Sequence, residues 1–303
     1  NRKFKNGKGS MITSFSTNRL QNIFSRYQDN TQKSGVLFQN DSHEQETKLR
    51  FQTQHYLEQW KLAAGTNIQY SDYGNATQSV LYNLDYNTGI DFMKYGFFAK
   101  AERKFLDDNL GLSFGFRVDA DSFSEGSSMM DNFSPRMALT YNLTEDQTWK
   151  INTSVGRYYK IPTYTILGYQ STQRRFVNKD AKYTLSDHLV AGLEYAPGNA
   201  SRITLEGFYK KYSQYPISLI DGVSLANKGG GFEVLGNEAI SSDGKGKSYG
   251  VEALYQQKLT KNFYGVFAYT YFHSQFTTTQ DNYLPSVWDS RHLISFSGGY
   301  KLK

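Results

Sequence analysis

Apolar and polar residues alternate along most of this chain with a period of two. The clearest case is Leu110–Asp121, LGLSFGFRVDAD. Its even positions are Leu110, Leu112, Phe114, Phe116, Val118 and Ala120, and its odd positions are small or charged. Successive side chains of a strand point to opposite faces, so the pattern predicts one wholly apolar face and one polar face. At about 3.3 Å per residue such a strand is roughly 40 Å long, and tilted by about 45° it crosses roughly 28 Å, close to a bilayer's hydrocarbon core. The same alternation predicts strands over 10–17, 20–28 (with Asn18 and Arg19 as a turn), 48–57, 62–70, 95–105, 136–143, 149–158, 187–196, 202–212, 249–256 and 263–276, and a last one from Arg291.

The connections have their own pattern. Short ones fall at 58–59, 107–109, 144–147, 197–199 and 260–262. Long ones fall between them: a polar, aromatic stretch over 71–94, then 123–134, 159–186, and the longest at 213–247. Placing the long loops at one end is the habit of antiparallel transmembrane barrels, which have tight periplasmic turns and long extracellular loops. A soluble sandwich has no reason for that segregation. Trp60 and Trp149 stand beside short turns and Trp288 beside a long loop, places suited to interfacial aromatics. The expected fold is all-β, an antiparallel transmembrane wall of about 12–13 strands from a larger barrel. An unclosed sheet leaves backbone groups unpaired in lipid, so residues 1–303 read as part of a barrel domain whose first and closing strands lie elsewhere.

Composition agrees. Only 38% of the 303 residues are hydrophobic, yet 16% are aromatic, with 24 Tyr and 21 Phe. That balance suits a wall half against lipid and half against water. No stretch approaches the roughly eighteen apolar residues of a membrane-spanning helix. The absence of cysteine removes disulfide and thiolate chemistry. The +6 net charge is spread among 28 acidic residues, which argues against a nucleic-acid face. The opening Asn1 and its basic neighbours carry no charged-then-apolar leader and read as the interior of a longer chain.

Two blocks carry a family resemblance. One is NFSPRMALTYNLTEDQTWKINTSVGRYYKIPTY at 132–164 with SDHLVAGLEYAPGNASRITLEGFYKKYSQYP at 186–216. The other is GKGKSYGVEALYQQKLTKNFYGVFAYTYFHSQF at 244–276, ending in LPSVWDSRHLISFSGGYKL at 284–302. They resemble the barrel of TonB-dependent outer-membrane receptors, especially of the Bacteroidetes type. The resemblance implies a barrel of about 22 strands filled by a plug. It implies a Gram-negative outer membrane and import of a scarce solute with TonB-coupled energy. Its implied partners are outer-membrane lipid, the receptor's own plug, the TonB complex, a small solute and a surface lipoprotein. The rival readings are a passive porin-like channel and, more remotely, a barrel enzyme or adhesin, since function resides in the site and not in the fold.

No cofactor or metal is expected. His43, His55, His188, His273 and His292 lack ligand spacing, and nothing aligns a serine and a histidine as a catalytic pair. Gly246–Ser248 imitates the tail of a phosphate loop, but Ser241 stands where its first glycine belongs. Leu112, Phe114, Phe116 and Val118 are expected to face lipid. Arg117, Asp119, Glu194, Glu206, Lys210 and Glu252 are expected to face the lumen and plug. Tyr158, Tyr159, Tyr164, Tyr169, Arg174 and Arg175 combine aromatic faces with cations and are the candidate ligand contacts. The same residues also suit loops that simply pack on themselves.

Overall fold

The computed structural model describes residues 2–4, 8–80, 84–126, 128–229 and 235–302. Its strands follow one another in a single antiparallel sheet. They are β1 (Arg2–Lys3), β2 (Gly9–Asp29), β3 (Ser34–Leu57), β4 (Trp60–Ser79), β5 (Leu84–Phe105), β6 (Leu110–Asp121) and β7 (Ser134–Asn142), then β8 (Trp149–Lys160), β9 (Thr184–Tyr195), β10 (Ser201–Ser218), β11 (Ile240–Thr260), β12 (Phe263–Thr277), β13 (Tyr283–Pro285) and β14 (His292–Tyr300). Each pairs with the next, except that β12 takes both the three-residue β13 and β14. Setting aside the two short pieces leaves twelve strands, within the expected 12–13.

The short connections predicted at 58–59, 107–109, 144–147, 197–199 and 260–262 hold, at one end of the sheet. Most contain a residue forced into the left-handed region, such as Glu58, Asp108, Gln147, Gly198 or Lys261. Positive φ is what tight hairpin turns demand, because their twist must match that of the strands.

Several boundaries differ from the sequence reading, and β3 begins at Ser34, well before the predicted 48. Residues 10–17 and 20–28 are one strand: Asn18 and Arg19 do not turn but pair in register with Glu46 and Gln45. The apolar phase flips between Phe15 and Leu20, and the backbone ladder runs through the flip. The stretch 71–94 is mostly strand, since β4 and β5 pair from Trp60↔Arg103 to Ser79↔Leu84. At its far end Asn75, Thr77, Asp85 and Asn87 supply polar residues to both faces, so no alternation marks it. The loop predicted at 213–247 shrinks to 219–239, because β10 and β11 extend into it.

Packing is concentrated on the polar face. The 161–183 connection carries a single helical turn, α1 (Tyr164–Leu167), and folds onto that face. Tyr164, Ile166 and Leu167 form a cluster there with Tyr73 of β4 and Ile90 and Phe92 of β5; Leu167 is wholly buried. To reach β4 and β5 from β8, the loop crosses β6 and the nine-residue β7. It also packs Phe176 edge-on against Phe123, at 5.1 Å.

Candidate functional site

The register explains how polar side chains from distant strands converge. Arg50, Asn67, Gly96 and Asp119 are successive partners across β3, β4, β5 and β6. Gly96 leaves the space that the network needs. A Cβ there would overlap Asp119 Oδ1 and lie 2.7 Å from Arg117 Nη2. In that space Arg117 makes a two-pronged bond to Asp119, at 2.6 and 2.5 Å, and donates to Asn67 Oδ1 at 2.8 Å.

Beside this network lies a depression of about 400 Å³, lined by Arg50, Phe98, Lys100, Arg117, Arg136 and Tyr158. Arg50 rests over the Phe98 ring at 5.6 Å, and Arg136 over the Tyr158 ring at 4.2 Å. Lys100 is paired with Glu102 and Arg117 with Asp119. Among the described residues no carboxylate pairs with Arg50 or Arg136. A second depression, of about 360 Å³, shares Arg50 and Arg117 and adds Lys48, Lys94 and Lys160. The result is a cation-rich basin backed by aromatic faces, an arrangement that attracts anions.

The inward loop closes over the basin's long-loop side through buried polar bonds. Tyr164, 6% exposed, donates its hydroxyl to Glu46 at 2.5 Å, and its oxygen lies 3.1 Å from the Ser71 hydroxyl, which can donate to it. Lys94 pairs with Glu46 at 2.8 Å, touches the same hydroxyl, and lies 4.9 Å over the Tyr164 ring. Burial, and then the bond to Glu46, push the Tyr164 phenol well above its usual range. Thr88 and Tyr86 donate to the Gly168 carbonyl at 2.5 and 3.0 Å. Asn178, 1% exposed, donates to the carbonyls of Ile166 and Glu238 and accepts from the Ile240 amide. It thereby ties the 161–183 loop to 219–239. In the latter, Lys228 bridges Asp221 at 2.7 Å and Glu238 at 3.0 Å.

The residues singled out from sequence separate into distinct environments. Tyr158 and Tyr159 belong to β8, and Tyr158 lines the basin. Tyr164 is a packing residue of the inward loop. Tyr169 stacks on Tyr86 at 6.0 Å. Arg174 and Arg175 are exposed on a tight turn in which Arg174 is left-handed. Arg117 and Asp119 are bonded partners at the basin. Glu194, Glu206, Lys210 and Glu252 lie further along the same face, with Glu206 directly opposite Glu252 and Glu194 paired to Arg202. On the apolar face Phe114 and Phe116 are exposed and Leu112 is partly so, whereas Val118 is buried where the 3₁₀ turn Met129–Asn132 packs on the end of β6. Sequence reasoning passed over Arg50, Phe98, Lys100 and Arg136 as site residues. Their alternation marked the polar face, but nothing local marked their convergence.

Comparison with known proteins gives the following. The chain matches the family described as "TonB dependent receptor-like, beta-barrel" over residues 3–303. Among solved structures it is similar to the ferripyoverdine receptor of the outer membrane of Pseudomonas aeruginosa, at 15% identity and a TM-score of 0.66, covering 99% of this chain and 42% of that one. It is similar to the copper transporter OprC at 13% identity and 0.67, covering 98% and 49%. A third likeness is to the alcaligin outer-membrane receptor FauA of Bordetella pertussis, at 13% identity and 0.66, covering 99% and 49%. The chain thus spans somewhat less than half of each, and at these identities the likeness concerns fold alone. No curated protein matches it in sequence.

Proposed function

The chain belongs to the TonB-dependent receptor-like β-barrel family, and we propose that it is wall from a receptor that binds a scarce anionic solute and imports it with TonB-coupled energy. Proteins of this family are outer-membrane transporters of Gram-negative bacteria and not enzymes. The polar face lines the lumen, opposite the receptor's plug, and the apolar face meets lipid. The observation that carries the ligand class is the pair Arg50 and Arg136. Each guanidinium is backed by an aromatic ring and faces no carboxylate among the described residues. A guanidinium held this way is preorganised for an anion with planar or forked oxygens. Tyr169, Arg174 and Arg175 extend the same chemistry to the rim.

The test uses cells making the full-length receptor and a panel of labelled ferric chelates, cobalamin and charged oligosaccharides. One anionic member is expected to bind at the surface with saturation. Its uptake stops when the membrane potential is collapsed, while surface binding persists. The double variant Arg50→Gln/Arg136→Gln is expected to slow uptake at least about tenfold, the loss of one or two charge-assisted bonds. Uptake that continues in de-energised cells and rises linearly with concentration identifies a passive channel and overturns the proposal.

A further inference from the structure

The outer, apolar face carries a charged row at the long-loop end of the strands. Arg157, Asp187, Lys211 and Lys247 are successive cross-strand partners from β8 to β11. Arg157 takes up Asp187 through two bonds, of 2.8 and 3.0 Å. Lys211 lies exposed on the other flank of Asp187. Next along the row, Lys247 sits directly opposite Lys211 and holds its ammonium 4.5 Å over the Tyr283 ring. Like charges facing each other across neighbouring strands oppose pairing unless an anion lies between them. Among the described residues no acidic side chain forms an ion pair with either lysine.

The surface beneath the row indicates what that anion is attached to. One rung lower the same strands present Val155, Leu189, Tyr209, Tyr249 and His273. The first four are exposed by 52%, 54%, 45% and 39%, and the tyrosines stack at 6.4 Å. Below them Leu205 and Val251 continue the exposed apolar surface. A soluble anion would gain nothing from this column, whereas an amphiphile would lay its chains along it. The end of the strands opposite the tight turns is the outer-leaflet side. Lysine serves phosphate as a compact point charge.

We propose that Lys211 and Lys247 hold the headgroup phosphate of an outer-leaflet lipid whose acyl chains run down over Tyr209 and Tyr249. The bound phosphate would neutralise the facing lysines and fix the height of this wall segment in the membrane.

The test titrates diphosphoryl lipid A into the purified full-length receptor in neutral detergent, followed by native mass spectrometry. Each lysine near an anionic lipid surface strengthens binding by about fivefold, so Lys211→Gln/Lys247→Gln is expected to weaken it about thirtyfold. Lys211→Arg/Lys247→Arg, which keeps both charges, is expected to retain it, and Lys258→Gln at the opposite end of β11 to leave it unchanged. Heat-resistant migration on gels checks that each barrel is folded. If the glutamine pair does not fold, raising salt on the natural protein substitutes for it, and the bound fraction should fall steeply. Equal binding by the natural and glutamine forms overturns the proposal, as does salt-insensitive binding or an equal loss in Lys258→Gln. Displacement of the lipid by inorganic phosphate at matching concentration would identify a soluble-anion site and likewise overturn it.

Discussion

Tyr164→Phe removes one oxygen from the inward loop and leaves its ring packing in place. The ring stays edge-on to Phe92 at 5.4 Å, so no cavity forms. What is lost is the hydroxyl shared by Glu46, Ser71 and Lys94. A hydrogen bond to a charged group contributes about 1.5–3 kcal/mol, and Glu46, whose side chain is 34% exposed, recovers part of that from water. The lower end of the range, about 1.5 kcal/mol, corresponds to roughly a tenfold rise in opening of the loop. Hydrogen exchange followed by mass spectrometry in the full-length receptor reads this directly. The amides of Ile166, Leu167 and Gly168, bonded to Thr163 and Tyr164, should exchange about tenfold faster, with no change in β8 or β9. Unaltered exchange in that turn, or an equal acceleration throughout the strands, would refute the view that this hydroxyl holds the loop.

Three further outcomes are expected. Phe114→Arg places a cation against lipid and should cost about 2–4 kcal/mol in the complete barrel, far more than Ser113→Arg on the polar face; folding titrations into vesicles compare them, and the reverse order would show the faces exchanged. Gly96→Ala should displace the bonds of Arg117 to Asp119 and Asn67 and lower stability by about 1–3 kcal/mol, read as a shift in the urea midpoint; an unchanged midpoint would mean that the network relaxes freely. In the 219–239 loop, burial works against the charge of Lys228, but its bonds to Asp221 and Glu238 hold its pKa above the ordinary 10.5. Burial likewise opposes the Asp221 carboxylate, but the Lys228 bond holds it below the ordinary 3.8. Asp221 therefore stabilises the loop above pH 3.8 and loses that effect as acid takes it through its lowered value. Lys228 stabilises it below pH 10.5 and loses that effect as base takes it through its raised value. Proteolysis of the loop should be slowest between those limits, and a flat profile would contradict the bridge.

Alternation made the membrane-level strands legible, because lipid on one side and water on the other impose opposite demands at every second residue. Phe114 against Ser113 shows it. Above that level neither face meets lipid, so Asn75 and Thr77, buried and bonded to Asn40, lie in a strand that polarity alone reads as loop. The faces of Arg117, Asp119, Glu206 and Glu252 were legible for the same reason. The basin was not, since Arg50 and Arg136 are brought together by pairing across three intervening strands. Tyr164 was visible only as an aromatic in a loop; its bond to Glu46 depends on a fold-back that no local pattern encodes.

The crossing of the 161–183 loop over β7 has a mechanical consequence. β7 pairs with β8 only over Arg136–Asn142, whereas β3 and β4 pair along nearly their whole length. The seams around β7 therefore offer the least resistance to bending of the wall, and the loop spans them from β8 to the rim of β4 and β5 like a bowstring. Bending that widens the wall stretches this strap, and the load falls on the side chains that anchor it, Tyr164 on Glu46 and Ser71 and Asn178 on the 219–239 loop. A change in curvature is in this way converted into tension on two buried polar contacts.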